Sequence, residues 1–189
     1  MSHRSSAERS LDVGGTTLPS ATDPDWSREW KSFFSWNPSR SLLASVRAYQ
    51  SALQSKSPLG VVRLWFAVLR HRVWSAATGA EIPLNCRIAG GLLIPHPNGI
   101  VIHPDSQIGP NCLIFQQVTV GQAGCRGVPR LGGNVVVGAG AKLLGEISIG
   151  NHARIGANAV VLCDVPPRAT AVGVPARILS VPTRAGDPG

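Results

Sequence analysis

The sequence predicts a mainly β protein, a parallel β-helix of six-residue repeats with a short α-helical region in front of it. Three observations carry that reading. Aliphatic residues recur every six positions, at Ile82, Ile88 and Ile94, then at Ile102, Ile108, Ile114 and Val120. After a break they resume at Leu131, Val137, Leu143, Ile149, Ile155 and Val161. A helix repeats every 3.6 residues and a flat strand every two, so a period of six is neither. It marks a solenoid in which each hexad is one short strand plus a turn. Second, the position four further on is mostly small or apolar: Cys86, Ser106, Cys112, Val118, Val135, Ala141, Ala153, Ala159. That position also points inward, near a corner with little room. Third, all five tryptophans (Trp26, Trp30, Trp36, Trp65, Trp74) precede the repeats, and Phe115 is the only aromatic from Ile82 onward. A narrow prism packs aliphatic layers and has no place for rings.

Three hexads close one triangular coil. Each coil buries its apolar face only against its neighbours, so several must stack, and the repeats here supply about five. Glycine often follows the aliphatic position (Gly109, Gly121, Gly132, Gly138, Gly150, Gly156), where it relaxes the backbone at the turn.

The expected order of parts is a disordered leader (1–24), a helical region (25–79), the β-helix (80–179) and a tail (180–189). The leader is rich in Ser, Thr, Gly and Asp. No apolar stretch follows its early basic residues, so no signal peptide is expected. Asn37-Pro38 reads as an N-cap followed by proline at the first helical position, and Ser57-Pro58 repeats the device. Thr78-Gly79 ends the last helix. The segment from Val61 to Ala77 is apolar but carries Arg63, Arg70, His71 and Arg72. That is too much charge for a transmembrane span, which needs roughly 20 mostly apolar residues.

The net charge is +8, and nearly all of it lies between Trp26 and Gly79, where eight Lys or Arg face one acid, Glu29. Such a segment suits an anionic membrane surface, through a peripheral contact, or an anionic cofactor. Scattered arginines on a solvated face would look the same. Nucleic acid is not an expected partner, because the basic residues do not interleave with a stacking platform. The four cysteines show no ligand spacing, and no metal is expected. Cys86 and Cys112 take inward positions, as buried thiols do in a reducing, cytoplasmic setting. Cys125 falls in a loop.

Five histidines remain: His3, His71, His96, His103 and His152. His103 and His152 fall at turn positions of ordinary hexads. His96 lies in Ile94-Pro-His-Pro-Asn-Gly-Ile-Val-Ile102, where the period slips by two residues. A slip in a regular coil re-aims a side chain, as a bulge does in a sheet.

The stretch from Glu81 to Leu179 resembles the catalytic domain of serine acetyltransferases, which are hexapeptide-repeat acyltransferases. The matching pieces are His96 with Gly99-Ile-Val101, Gln116-Gln-Val-Thr-Val-Gly121, Val137-Gly-Ala-Gly-Ala-Lys-Leu-Leu-Gly145, Asp164-Val-Pro-Pro and Ala171-Val-Gly-Val-Pro-Ala-Arg177. The last piece is common to many acyl-CoA transferases. The histidine element is closer to the serine branch. The resemblance implies a left-handed helix, a homotrimer and acetyl-CoA-dependent O-acetylation of a small hydroxyl acceptor, serine first. It implies His96 as general base, with Glu81, fifteen residues earlier, in the place of the family's aspartate. It assigns Gly121, Ala139, Lys142, Ala157 and Arg177 to acetyl-CoA, along a groove between neighbouring prisms, and Arg126 to the acceptor.

The chemistry suits these residue types. An alcohol is a poor nucleophile near neutral pH, so a base must take its proton as it attacks the thioester. An imidazole with an unperturbed pKa of about 6.5 is fitted to that task. Two departures bear on the acceptor. Pro95 stands where the family carries an aspartate that holds the amino acid. The loop Gln122-Ala-Gly-Cys-Arg-Gly-Val-Pro-Arg130 is shorter than the family's and has no histidine. A sugar hydroxyl in polysaccharide assembly is therefore the second candidate acceptor, and a catalytically silent scaffold is the alternative of another class.

Overall fold

The computed structural model describes residues 19–30, 36–55, 59–124 and 127–179. A single 3-10 turn (Trp26–Arg28) leads to two helices, α1 (Pro38–Gln54) and α2 (Gly60–Thr78). Asn37 caps α1 by accepting from the Arg40 N–H, with proline in the first turn. The Ser57-Pro58 device lies outside the described residues. Gly79 closes α2 in the left-handed region at φ +65°, where its N–H donates to Ser75 O.

Thirteen short strands follow. The first six are β1 (Arg87–Ile88), β2 (Val101–Ile102), β3 (Gln107–Ile108), β4 (Leu113–Ile114), β5 (Thr119–Gly121) and β6 (Arg130–Leu131). Then come β7 (Val136–Val137), β8 (Lys142–Leu144), β9 (Ser148–Ile149), β10 (Arg154–Ile155), β11 (Val160–Val161), β12 (Thr170–Val172) and β13 (Arg177–Leu179). They form three faces, ordered β1-β3-β6-β9, β2-β5-β8-β11 and β4-β7-β10-β12-β13. All pairs are parallel except the last, where β13 turns back antiparallel on β12.

The register shows how the hexads close into coils. Val101 pairs with Thr119 eighteen residues on, and Val136 with Arg154 likewise. The coil containing His96 needs twenty, with Leu93 opposite Leu113 and Glu81 opposite Val101. The loop from Gln122 to Pro129 stretches another to twenty-three, with Gln107 opposite Arg130. The last coil shortens to sixteen, with Ile155 opposite Ala171. Its next inward residue is thus Val165, not a continuation of the six-residue count.

The hexad aliphatics stack as one core with the small positions. Cys86 and Cys112 are among them, and burial pushes each thiol up to about 11. Cys125 lies outside the described residues. Two corners run through residues in the left-handed region. One column is Asn111, Asn134, His152 and Arg168; another includes Gln117 and Asn158. Asparagine tolerates this conformation better than most residues. His152 is held there by Asn134, 2.9 Å from its Nδ1. Gly138 answers a different need, since a Cβ there would lie 2.6 Å from the Ala157 backbone nitrogen.

The helical region is clamped to the first coil. Leu42 and Leu43 of α1 belong to the same core as the hexads and cover the open end of the prism. Arg47 bridges the parts. Its guanidinium donates to Glu29 at 2.9 and 3.1 Å and to the Ile88 and Ala89 carbonyls at 2.6 and 2.8 Å. Glu29 in turn accepts from the Leu92 N–H. So one cation of the basic segment is structural, and the segment's only acid is spent on it.

The structure departs from the sequence reading at residues 19–24. They do not hang free but lie along the prism. The Asn111 side chain donates to Ser20 O and Asp23 O, both at 2.8 Å, and accepts from the Asp25 N–H. Their polar composition hid this, because the docking uses backbone groups and one asparagine. Residues 1–18 and 180–189 lie outside the described residues.

Candidate active site

His96 lies in the lengthened corner between Leu93 and Val101, one coil below Leu113 and Thr119. The two extra residues push Pro95, His96 and Asn98 out to the surface. The loop is pinned at its far side, where Gln117 donates from its backbone to Asn98 O at 3.0 Å and from Nε2 to Asn98 Oδ1 at 2.9 Å. The imidazole has no hydrogen bond or ion pair within the chain among the described residues.

It opens on a cleft of about 740 Å³ between this loop and the N-terminus of α1. Leu92, Ile94 and Trp36 supply apolar wall, and Ser39, Asn37 and Arg40 supply polar groups. Among the described residues of the lining, Arg40, which also donates to the Trp30 carbonyl, is the only Lys or Arg, and none is a carboxylate. Sequence reasoning missed Arg40. Nothing in the hexads announces a residue that arrives from another element, although its place one turn into a capped helix fixes where it points.

Glu81 is not joined to His96. Its backbone is paired with the neighbouring coil, Glu81 N donating to Ile100 O at 2.7 Å, and it lines a second cleft with His71, Arg72 and Ser75. His71 faces α1, with Nδ1 3.1 Å from Ser45 Oγ, and burial lowers its pKa.

Of the positions assigned to acetyl-CoA, Ala139, Ala157 and Arg177 lie at or beside one prism edge. Register places Gln116, Ala139 and Ala157 in one column, with the Gly140 N–H donating to Gln116 O and the Asn158 N–H donating to Ala139 O. His96 belongs to the same edge, one coil before Gln116. The Gln116 Oε1 atom is buried with no hydrogen-bond partner among the described residues. A column of methyl groups with one orphaned acceptor suits a narrow arm bearing amide N–H groups. Arg177 is exposed on β13, beside this edge, opposite Val172. Gly121 is at the end of β5, opposite Leu144. Lys142 lies at the start of β8, opposite Thr119. Its Nζ donates to Gln117 O at 2.9 Å and Thr119 Oγ1 at 3.0 Å, so it ties two coils together. Arg126 lies outside the described residues. No group of three or more His, Cys, Asp or Glu able to hold a metal occurs among the described residues.

The model for "bacterial transferase hexapeptide (six repeats)" matches residues 129–163. A serine acetyltransferase of Synechococcus elongatus is 50% identical over 106 residues, 54% of this chain and 43% of that protein. One from Mycobacterium tuberculosis is 37% identical over 138 residues, 64% of this chain and 60% of that protein. The chain is related to the serine acetyltransferases. Soybean serine acetyltransferase complexed with serine superposes with a TM-score of 0.65 at 36% identity, covering 76% of this chain and 58% of that one. A serine acetyltransferase in complex with CoA gives 0.64 at 35%, covering 76% and 57%. The fold is thus a left-handed parallel β-helix of hexapeptide repeats with a short helical region before it. The chain spans about half the length of these relatives, from 43% of the first to 60% of the second.

Proposed function

We propose that the chain is an acetyl-CoA-dependent O-acetyltransferase of the serine acetyltransferase type. The observation that carries this reading is the placement of His96. The slip sets it on the edge that holds the Ala139–Ala157 column and at the mouth of a cleft of about 740 Å³. His96 takes the proton of the acceptor hydroxyl as the oxygen attacks the thioester carbonyl, and the thiol leaves. Histidine suits this role, since an imidazole can take a proton at neutral pH. Arg40 is placed to receive an acceptor carboxylate. The Ala139–Ala157 column and Gln116 accommodate the arm of acetyl-CoA, with Arg177 near its phosphates. Serine acetylation of this kind feeds cysteine synthesis.

One observation favours a second acceptor. A zwitterion needs a carboxylate for its ammonium, and none is among the described residues of the cleft. A sugar hydroxyl makes no such demand. The test is thiol release from acetyl-CoA against a panel of serine, other hydroxy amino acids and glycosides. Turnover with at least one hydroxyl acceptor is expected. Absence of thiol release with all of them would leave only the scaffold reading.

The working unit proposed is a homotrimer. The edge that carries His96 and the alanine column is open in a single chain, and a neighbouring prism would complete it as a groove. Light scattering should give three times the chain mass, and activity should fall on dilution below the association range. A monomer with full activity would overturn the trimer.

A further inference from the structure

The outer face of α2 has no partner among the described residues. Val61, Val62, Trp65, Phe66, Leu69 and Val73 are all exposed, Val61 at 77% and Trp65 at 68%. At about 100° per residue they share one arc of roughly 140°. The opposite side of α2 is fixed against α1 by the Ser45–His71 contact, and Trp74 packs on Trp36 with ring centroids 5.7 Å apart. The bare stripe therefore points outward by construction. A contiguous apolar surface of this kind marks an interaction site.

Charge decides the occupant. Arg63 and Arg70 are exposed beside the stripe, Arg72 is exposed within its arc, and α2 contains no acid. A groove of about 300 Å³ between the helices has a floor of Ala48, Val62, Phe66 and Ala67 with Arg63 and Arg70 at its lip. A smaller one, about 150 Å³, sets Arg72 beside Trp65, Val68 and Leu69. An apolar floor under guanidinium groups matches a phospholipid, with its acyl chain below and its phosphate above. A second copy matches poorly. Two such faces would oppose arginine to arginine, and Glu29, the one acid between Trp26 and Gly79, is already held by Arg47. No helix among the described residues is long and apolar enough to cross a membrane. We propose that α2 lies flat on an anionic lipid surface and seats the protein there through its Val61–Val73 stripe and its arginines.

The test is flotation of the full chain with vesicles of phosphatidylcholine alone, or of phosphatidylcholine and phosphatidylglycerol in equal parts. Binding to the anionic vesicles is expected, at least tenfold tighter than to the neutral ones and weakened by salt. The double variant Arg63→Gln/Arg70→Gln should lose roughly tenfold or more in affinity for the anionic vesicles. Val62→Ser/Phe66→Ser should lose binding while keeping the wild-type melting curve, since neither side chain is in the core. Equal binding to both vesicle types, no binding, or indifference to both double variants would overturn the proposal. So would a wild-type protein that ignores vesicles but forms a larger assembly that Val62→Ser/Phe66→Ser dissociates, which would assign the stripe to a second copy.

Discussion

Replacing His96 with alanine should lower kcat by a factor of about 10² to 10⁴, the usual share of general acid–base catalysis. The imidazole acts on the acceptor, so acetyl-CoA affinity should be nearly unchanged. The substitution removes an exposed side chain from a loop pinned through Asn98 and Gln117, and folding should survive it. Glu81→Gln should cost less, because the carboxylate and the imidazole face different clefts. Steady-state kinetics with acetyl-CoA binding measured separately will show both. Near-normal turnover by His96→Ala would remove the histidine from the mechanism. A loss with Glu81→Gln equal to that with His96→Ala would show that the two act as a unit in the assembled protein.

Replacing Pro95 with aspartate should raise kcat/KM for serine. A hydrogen bond to a charged group, of the kind it would restore, is worth about 1.5–3 kcal/mol. That is roughly a ten- to hundredfold gain, since about 1.4 kcal/mol is tenfold. Among the described residues, none of the other acids of the repeats lines the cleft. Glu81 lines a different cleft, Asp105 Oδ2 lies 3.8 Å from His103 Nδ1, and Asp164 accepts from the Ser148 N–H at 2.7 Å. A glycoside acceptor should be unaffected or impaired by the same change. Efficient serine turnover by the wild type, not improved by Pro95→Asp, would mean that the ammonium finds its partner elsewhere, and the case for a sugar acceptor would fall.

The period of six was enough to give the prism, because each hexad makes the same demand: one inward aliphatic, one small corner, one turn. The slip at His96 was visible for the same reason, as a fault in an otherwise regular count. The shortening of the last coil was not. After Val161 the inward residues are Val165 and Ala171, and the intervening prolines replace the aliphatic that would have marked the strand. Contacts that depend on arrival from elsewhere were also hidden. Arg40 in the cleft, Lys142 tied between coils and Asn111 receiving residues 20–25 each depend on where a separate segment docks. The stripe on α2 was ambiguous in principle. An apolar run reads alike whether its second face meets a core or meets solvent, and only the position of α1 tells which.

The two ends of the prism are finished differently. Parallel coils have a polarity, and a prism open at both ends could stack head to tail on further copies and grow into a fibre. At the first coil, Leu42 and Leu43 plug the aliphatic stack, and Arg47 occupies the Ile88 and Ala89 carbonyls that a preceding coil would otherwise use. At the last, β13 reverses direction, so the face it completes no longer offers a parallel template. Axial growth is thereby closed off at both ends, and association is left to the sides of the prism, where the edge bearing His96 lies.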